Sequence, residues 1–195
     1  EGVGLSERAS QRAVPYARER VQGRAVGAEA MQKAGPIIEH PDIRRMLMTM
    51  RAYTEAMRAL GYVTAAAIDN AQHAPDAAAR QRHQAFVELM IPIVKGWCTE
   101  TGQEVTSIGV QVHGGMGFIE ETGAAQYYRD ARITTIYEGT TGIQANDLVG
   151  RKTARDAGAT ARLVAAQIDK VAAHLASHAD ATLNAIGLRL AAANA

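Results

Sequence analysis

Apolar residues return at three- and four-residue steps in four stretches of the chain, the period of an amphipathic helix. In the first, residues 5–21, alanine and valine alternate with arginine, glutamate and glutamine until Gly23, Gly27 and the Gly35-Pro36 pair interrupt the pattern. Pro41-Asp42 restarts a helix, with Asp42 as the expected N-cap. From there Ile43, Met46, Leu47, Met50, Tyr53, Met57, Leu60, Thr64, Ala67 and Ile68 predict one amphipathic helix of about seven turns. Pro75-Asp76 ends it and opens a third, faced by Phe86, Leu89, Met90, Ile93, Val94 and Trp97, with a kink expected at Pro92. The fourth stripe is Leu163, Val164, Ile168, Val171 and Leu175, in alanine-rich surroundings. No run alternates as a strand series would, and no internal repeat is evident. Long helices joined by short breaks predict an all-α antiparallel bundle, and each stripe is read first as core packing.

Composition narrows the class. A chain of 195 residues, 47% hydrophobic and 21% charged, is globular and holds one or two domains. Its 39 alanines favour helix. Lys+Arg 21 against Asp+Glu 20 leaves no basic excess for a nucleic-acid face. The single cysteine, Cys98, excludes an internal disulfide and a cysteine-rich metal site, and fits a reducing cytoplasm. No uncharged run is long enough for a transmembrane helix, and no basic-then-apolar leader opens the chain. The first residues already lie in a helical pattern, so a piece of a longer polypeptide is expected.

One region departs from the alanine-rich background. Residues 86–123 contain no alanine, and residues 96–142 hold nine of the 18 glycines. Within it, Gln111-Val112-His113-Gly114-Gly115-Met116-Gly117-Phe118 places three glycines in four positions. Such a run allows positive φ and a nest of backbone N–H groups for a phosphate or pyrophosphate, although by itself it reads first as a helix C-cap turn. Further on, Ile136-Tyr137-Glu138-Gly139-Thr140-Thr141-Gly142-Ile143-Gln144 sets a carboxylate between apolar residues and a glycine, just before a helix expected from Thr140 or Thr141 to Val149. Walls of Ile136 and Tyr137 would partly desolvate Glu138 and suit it to act as a general base, while Gly139 leaves room for a substrate. The alternative is an ordinary carboxylate favoured by the helix dipole. His174 and His178, spaced i, i+4, lack a third ligand and read as a solvated face. His113 reads as a loop-packing residue and Cys98 as a buried thiol.

The run from Gln111 to Gln144, including Tyr128-Arg129-Asp130-Ala131-Arg132-Ile133 and Ile136-Tyr137-Glu138-Gly139-Thr140, resembles the C-terminal part of the acyl-CoA dehydrogenases, with no insertion between the glycine turn and the glutamate. Tyr16-Ala17-Arg18-Glu19-Arg20-Val21-Gln22-Gly23, followed by Ile38-Glu39-His40-Pro41-Asp42-Ile43-Arg44-Arg45-Met46, is most similar to the larger-chain subgroup that includes 3-methylmercaptopropionyl-CoA dehydrogenases. The likeness covers residues 5–152.

That resemblance implies an up-down-up-down four-helix bundle over residues 1–150 and an extra helical tail over 151–195, the family's N-terminal α and middle β domains lying outside this chain. It implies α,β-dehydrogenation of an acyl-CoA, with Glu138 taking the α-proton, hydride passing to FAD, and an electron-transferring flavoprotein as acceptor. The N–H of Glu138 would polarise the thioester carbonyl, and Gly139 would border the substrate. Arg20, Gln111, Val112, His113, Gly114 and Gly115 would contact a neighbouring subunit's FAD; Thr140, Thr141 and Gly142 would contact the chain's own. A homo-oligomer follows, as does the absence of metal, nucleic-acid and membrane partners. Gln22 replaces the family's usual phenylalanine, Pro41 follows His40 where glutamine is common, and Gly142 stands for a glutamine. Gln22 and His40 are therefore given no cofactor role. Two other classes compete: a helical association module without catalysis, and an alkylation-response flavoprotein that binds DNA. Bound FAD would exclude the first; absence of salt-sensitive DNA binding would exclude the second.

Overall fold

The computed structural model describes residues 1–27 and 33–195. Its helices are α1 (Gly2–Glu19), α2 (Pro41–His73), α3 (Ala77–His113), the short α4 (Gly115–Phe118), α5 (Ala124–Thr134), α6 (Thr141–Asp147), α7 (Ala159–Ala176) and α8 (Ala181–Asn194), with a π-helical turn at Leu148–Thr153. Among the described residues there is no strand, only an isolated bridge between Val21 and Pro36. No described helix is long and apolar enough to cross a membrane.

The chain divides into two compact units, Glu1–Ala66 with Pro92–Ala145, and Ala67–Ile91 with Asn146–Ala195. The first is an all-α bundle narrower than the expected 1–150, since residues 67–91 and 146–150 fall in the second unit. Its core joins Ala9, Ala13 and Ala17 of α1, Met46, Met50 and Met57 of α2, and Cys98, Val105 and Val112 of α3. Glu7 of α1 pairs with Arg58 of α2 at 2.6 Å. α1 and α3 run parallel: Gly2 lies against Cys98 and Gly102, and the Tyr16 ring stacks on His113. α5 runs antiparallel to both, with Thr122 just before it held by Arg12 of α1, and Thr134 at its end by Lys95 of α3. The order is up-down-up-down.

Small residues set how closely these helices approach. A Cβ on Gly2 would sit 2.2 Å from the Cys98 carbonyl oxygen, which fixes α1 tightly on α3. Buried hydroxyls are satisfied within their own helices: Ser6, Thr54, Thr64 and Thr106 each donate to the carbonyl four residues back at 2.7–2.9 Å. Thr64 can therefore occupy the apolar stripe without an unmet polar group.

The helix starts differ from expectation at one point. Helical bonding begins with Pro41, favoured at the first helical position, so Asp42 lies inside the first turn and is not the N-cap. Its carboxylate accepts instead from Arg45 at 2.7 and 2.9 Å. Asp76 does cap α3, accepting from the N–H groups of Ala78 and Ala79 at 3.1 and 2.9 Å. α3 continues through Pro92.

In the second unit α7 and α8 form an antiparallel hairpin. Gly187 lies on the α7 backbone, where a Cβ would meet Ala176 N at 2.2 Å. Asp156 caps α7 and Asp180 caps α8. Arg155 pairs with Glu88 at 2.7 Å. Because these helices meet through alanine and glycine, Leu163 and Val171 of the fourth stripe remain exposed.

Candidate functional site

The predicted site residues gather at two opposite ends of the bundle. At one end α3 terminates in His113. Val112 and His113 are buried, so both side chains belong to the core. The His113 ring stacks on Tyr16 with centroids 4.3 Å apart, and its Nδ1–H donates to the Gly109 carbonyl at 2.8 Å. Burial, helped by the charge of Arg12, pushes this imidazole below its ordinary pKa and keeps it neutral.

Gly114 then takes φ +59° and ψ −140°, a region open essentially to glycine. Its N–H donates to Gln111 O at 3.0 Å, and the Gly117 N–H donates to Gly114 O at 2.8 Å. Two amides of the expected anion nest are thus engaged internally, and the segment is a helix-ending turn. Gly117 is required by space: a Cβ would sit 2.3 Å from Val110 O. Gly115 has neither constraint; its φ is ordinary and no atom lies within 4 Å of a built Cβ. Gln111, Gly114 and Gly115 are exposed.

Arg20 shares this end. It follows the last residue of α1, its N–H bonded to Tyr16 O at 2.9 Å, and its exposed guanidinium reaches Gln22 Oε1 at 3.2 Å. The Gln22 carbonyl accepts from His40 Nε2 at 2.9 Å, a bond that ties down the connection to α2.

At the other end α5 runs into the turn that carries Glu138. The amides of Ile136 and Tyr137 both donate to Ile133 O, at 3.0 and 3.1 Å. Glu138 then adopts φ +52° and Gly139 φ +90°, two left-handed residues in succession. For a glutamate this conformation costs about 1–2 kcal/mol. Thr140 caps α6, its Oγ1 accepting from Ile143 N at 3.3 Å and its carbonyl from Gln144 N at 3.0 Å. Thr141 donates to Glu100 Oε1 at 2.5 Å, and Gly142 is exposed.

The desolvated pocket expected around Glu138 is not formed by this chain. Glu138 is exposed, and Ile136 is itself 46% exposed, so its two apolar neighbours do not wall it from water. What the chain does supply is a fixed backbone. Lys95 of α3 donates to Thr134 O at 2.8 Å and to Gly139 O at 2.7 Å, joining the end of α5 to the turn. No sequence motif singles out Lys95 or Glu100, and Gln144 closes the glutamate motif without a role assigned to it. For Lys95 the available signal is a lone cation between Val94 and Gly96 in an apolar stripe.

The two ends are separated along α1. Tyr16 marks the His113 end, while Gly4 and Leu5 border a groove shared with Ile133 and Tyr137. The twelve helical steps from Gly4 to Tyr16 span about 18 Å.

An all-α bundle with a glycine turn at one end and a strained glutamate at the other defines a class, and comparison with known proteins gives it a family. Residues 1–153 match the acyl-CoA dehydrogenase C-terminal domain. The chain belongs to the acyl-CoA dehydrogenase family. It is 55% identical, over all 195 residues, to 3-methylmercaptopropionyl-CoA dehydrogenase of Ruegeria pomeroyi, of which it covers 33%. It is 40% identical to the broad-specificity linear acyl-CoA dehydrogenase FadE5 of Mycobacterium tuberculosis, over 81% of this chain and 26% of that one. Among solved structures, butyryl-CoA dehydrogenase from Megasphaera elsdenii aligns over 76% of this chain and 33% of its own, at 30% identity and TM-score 0.54. The chain therefore spans a third or less of these relatives.

Proposed function

We propose that this chain is the C-terminal part of a flavin-dependent enzyme that dehydrogenates an acyl-CoA thioester to the 2-enoyl-CoA. The observation that carries this reading is Glu138 itself. A glutamate held at φ +52°, where glycine would sit without strain, on a turn fastened to α3, is a carboxylate retained for its chemistry.

In this reading Glu138 removes the α-proton of the thioester, and its backbone N–H donates to the thioester carbonyl, favouring the developing negative charge. Gly139 admits the substrate chain past the backbone. The walls that exclude water from Glu138 come from elements of the polypeptide beyond this chain and from the bound thioester. FAD, when bound, would supply the acceptor for the β-hydrogen, which leaves as hydride. Its fit rests on two residues that internal packing does not explain. Gly115 has no structural reason to be glycine, and Arg20 presents an exposed cation at the same end of the bundle. Arg20, Gln111, Gly114 and Gly115 would meet a neighbouring subunit's FAD, Val112 and His113 acting only through their backbone. Thr140, Thr141 and Gly142 would meet the chain's own. Two contact sets at opposite ends of the bundle favour two flavins and a homo-oligomer. Residues 1–150 make up the family domain, with the first unit as its bundle, and 151–195 an extension, the enzyme working in the cytoplasm with an electron-transferring flavoprotein as acceptor.

The test is Glu138→Gln in the full-length protein. Its FAD should remain bound while reduction by acyl-CoA is abolished, 3-methylmercaptopropionyl-CoA being the first thioester to assay. Normal bleaching of the flavin in that variant would refute the assignment.

A further inference from the structure

We infer that Lys95 is a positioning residue for the proposed base, holding Glu138 in its left-handed conformation by hydrogen-bonding the next carbonyl along the chain. The inference rests on Glu138 being the base, and adds what keeps it in place. A positive φ on a glutamate persists only where the surroundings over-determine it. The nearest determinant is a half-buried ammonium on α3 that donates to Gly139 O at 2.7 Å and to Thr134 O at 2.8 Å.

These two acceptors belong to different elements. Thr134 is the last residue of α5, whose end has carbonyls without helical partners, and Gly139 is the second left-handed residue of the turn. One ammonium therefore fixes the distance between the helix end and the Gly139–Thr140 peptide, one peptide beyond Glu138. Bonds from a charged donor are roughly twice as strong as neutral ones. The remaining fastenings of the turn have uncharged donors: Tyr137 N–H donates to Ile133 O at 3.1 Å, Thr141 N–H donates to Thr135 O at 3.3 Å, and Gln144 Nε2 approaches Glu138 O and Gly139 O only at 3.5 Å. With Lys95 removed, the Glu138–Gly139 pair is free to relax toward negative φ, which swings the carboxylate away from the α-carbon it must reach.

Rate should suffer and binding should not, because a misplaced base weakens the transition state without touching ground-state contacts. In the full-length protein Lys95→Met should keep FAD and the wild-type KM while flavin reduction slows about 100-fold, the scale of a displacement of roughly 1 Å. Lys95→Arg, which retains charge and donors, should recover about tenfold of that loss. If Lys95→Met does not retain FAD, Lys95→Gln carries the same expectation. A folded Met or Gln variant that reduces flavin at the wild-type rate overturns the inference. So does failure of both to fold, which would make Lys95 a stability determinant alone. Glu138→Gln separates the two layers: normal bleaching there removes the base assignment, whereas loss there beside unchanged Lys95→Met removes only the positioning role.

Discussion

The bundle ends in two left-handed turns, and they are built on opposite plans. At Gly114 the unusual dihedrals fall on a glycine, and the residues before it anchor the turn from within, Val112 in the core and His113 stacked on Tyr16. At the other end the first left-handed residue is Glu138, and the support comes from another helix through Lys95. Where only a chain reversal is needed, glycine supplies it without strain. Where a carboxylate must stand at the same kind of position, the fold accepts strain and adds a charged donor to hold it.

The largest effect that would break this contrast comes from Glu138→Gly, which makes the second turn resemble the first. Flavin reduction by acyl-CoA should fall about 10²–10⁴-fold, the contribution of a positioned base. The protein should nevertheless melt no lower than wild type, because relief of about 1–2 kcal/mol of strain outweighs about 0.5–1 kcal/mol of added chain entropy. A clearly lower melting temperature would mean that the turn is not strained. At the glycine end the sensitivity is to volume. Gly117→Ala should destabilise by about 1–3 kcal/mol in denaturant titrations, since its Cβ has to displace Val110 O and His113.

His113 gives this end a pH dependence. The ring's pKa is depressed in the folded state below its ordinary 6.5. Its contribution to stability is therefore present above about pH 6.5 and is lost as pH falls, because the unfolded imidazole takes a proton the buried ring does not. The slope amounts to at most about 1.4 kcal/mol per pH unit, and His113→Phe should remove it from a stability–pH curve. The smallest stability effect is expected for Gly115→Ala, within about 0.5 kcal/mol of wild type. That variant should still bind FAD more weakly, since nothing inside the chain asks for glycine there. Unchanged FAD affinity would place the cofactor elsewhere.

Legibility in the sequence follows the strength of the pattern. Met46, Met50 and Met57 recur at helical spacing and are buried, because a stripe that long can be satisfied only by other helices. α5 is not readable this way. Its buried residues are Ala124, Ala131 and Thr134, too small to mark a face, yet it is the fourth helix of the bundle. Motif and resemblance pick out the turn residues but not their supports: Lys95 lies 44 residues from Gly139, and no local pattern joins them.

The sequence alone determined the helical class, the placement of the long helices and the identity of the acidic residue before Gly139, because periodicity and local chemistry are properties of neighbours in the chain. Tertiary structure decided that His113 is a neutral core residue, that the glycine run is a helix-ending turn, that Glu138 lies exposed on a strained backbone, and that Glu138 and Arg20 lie at opposite ends of the bundle. Those facts depend on which distant segments meet, and the free energy of that meeting is shared among residues no single stretch contains.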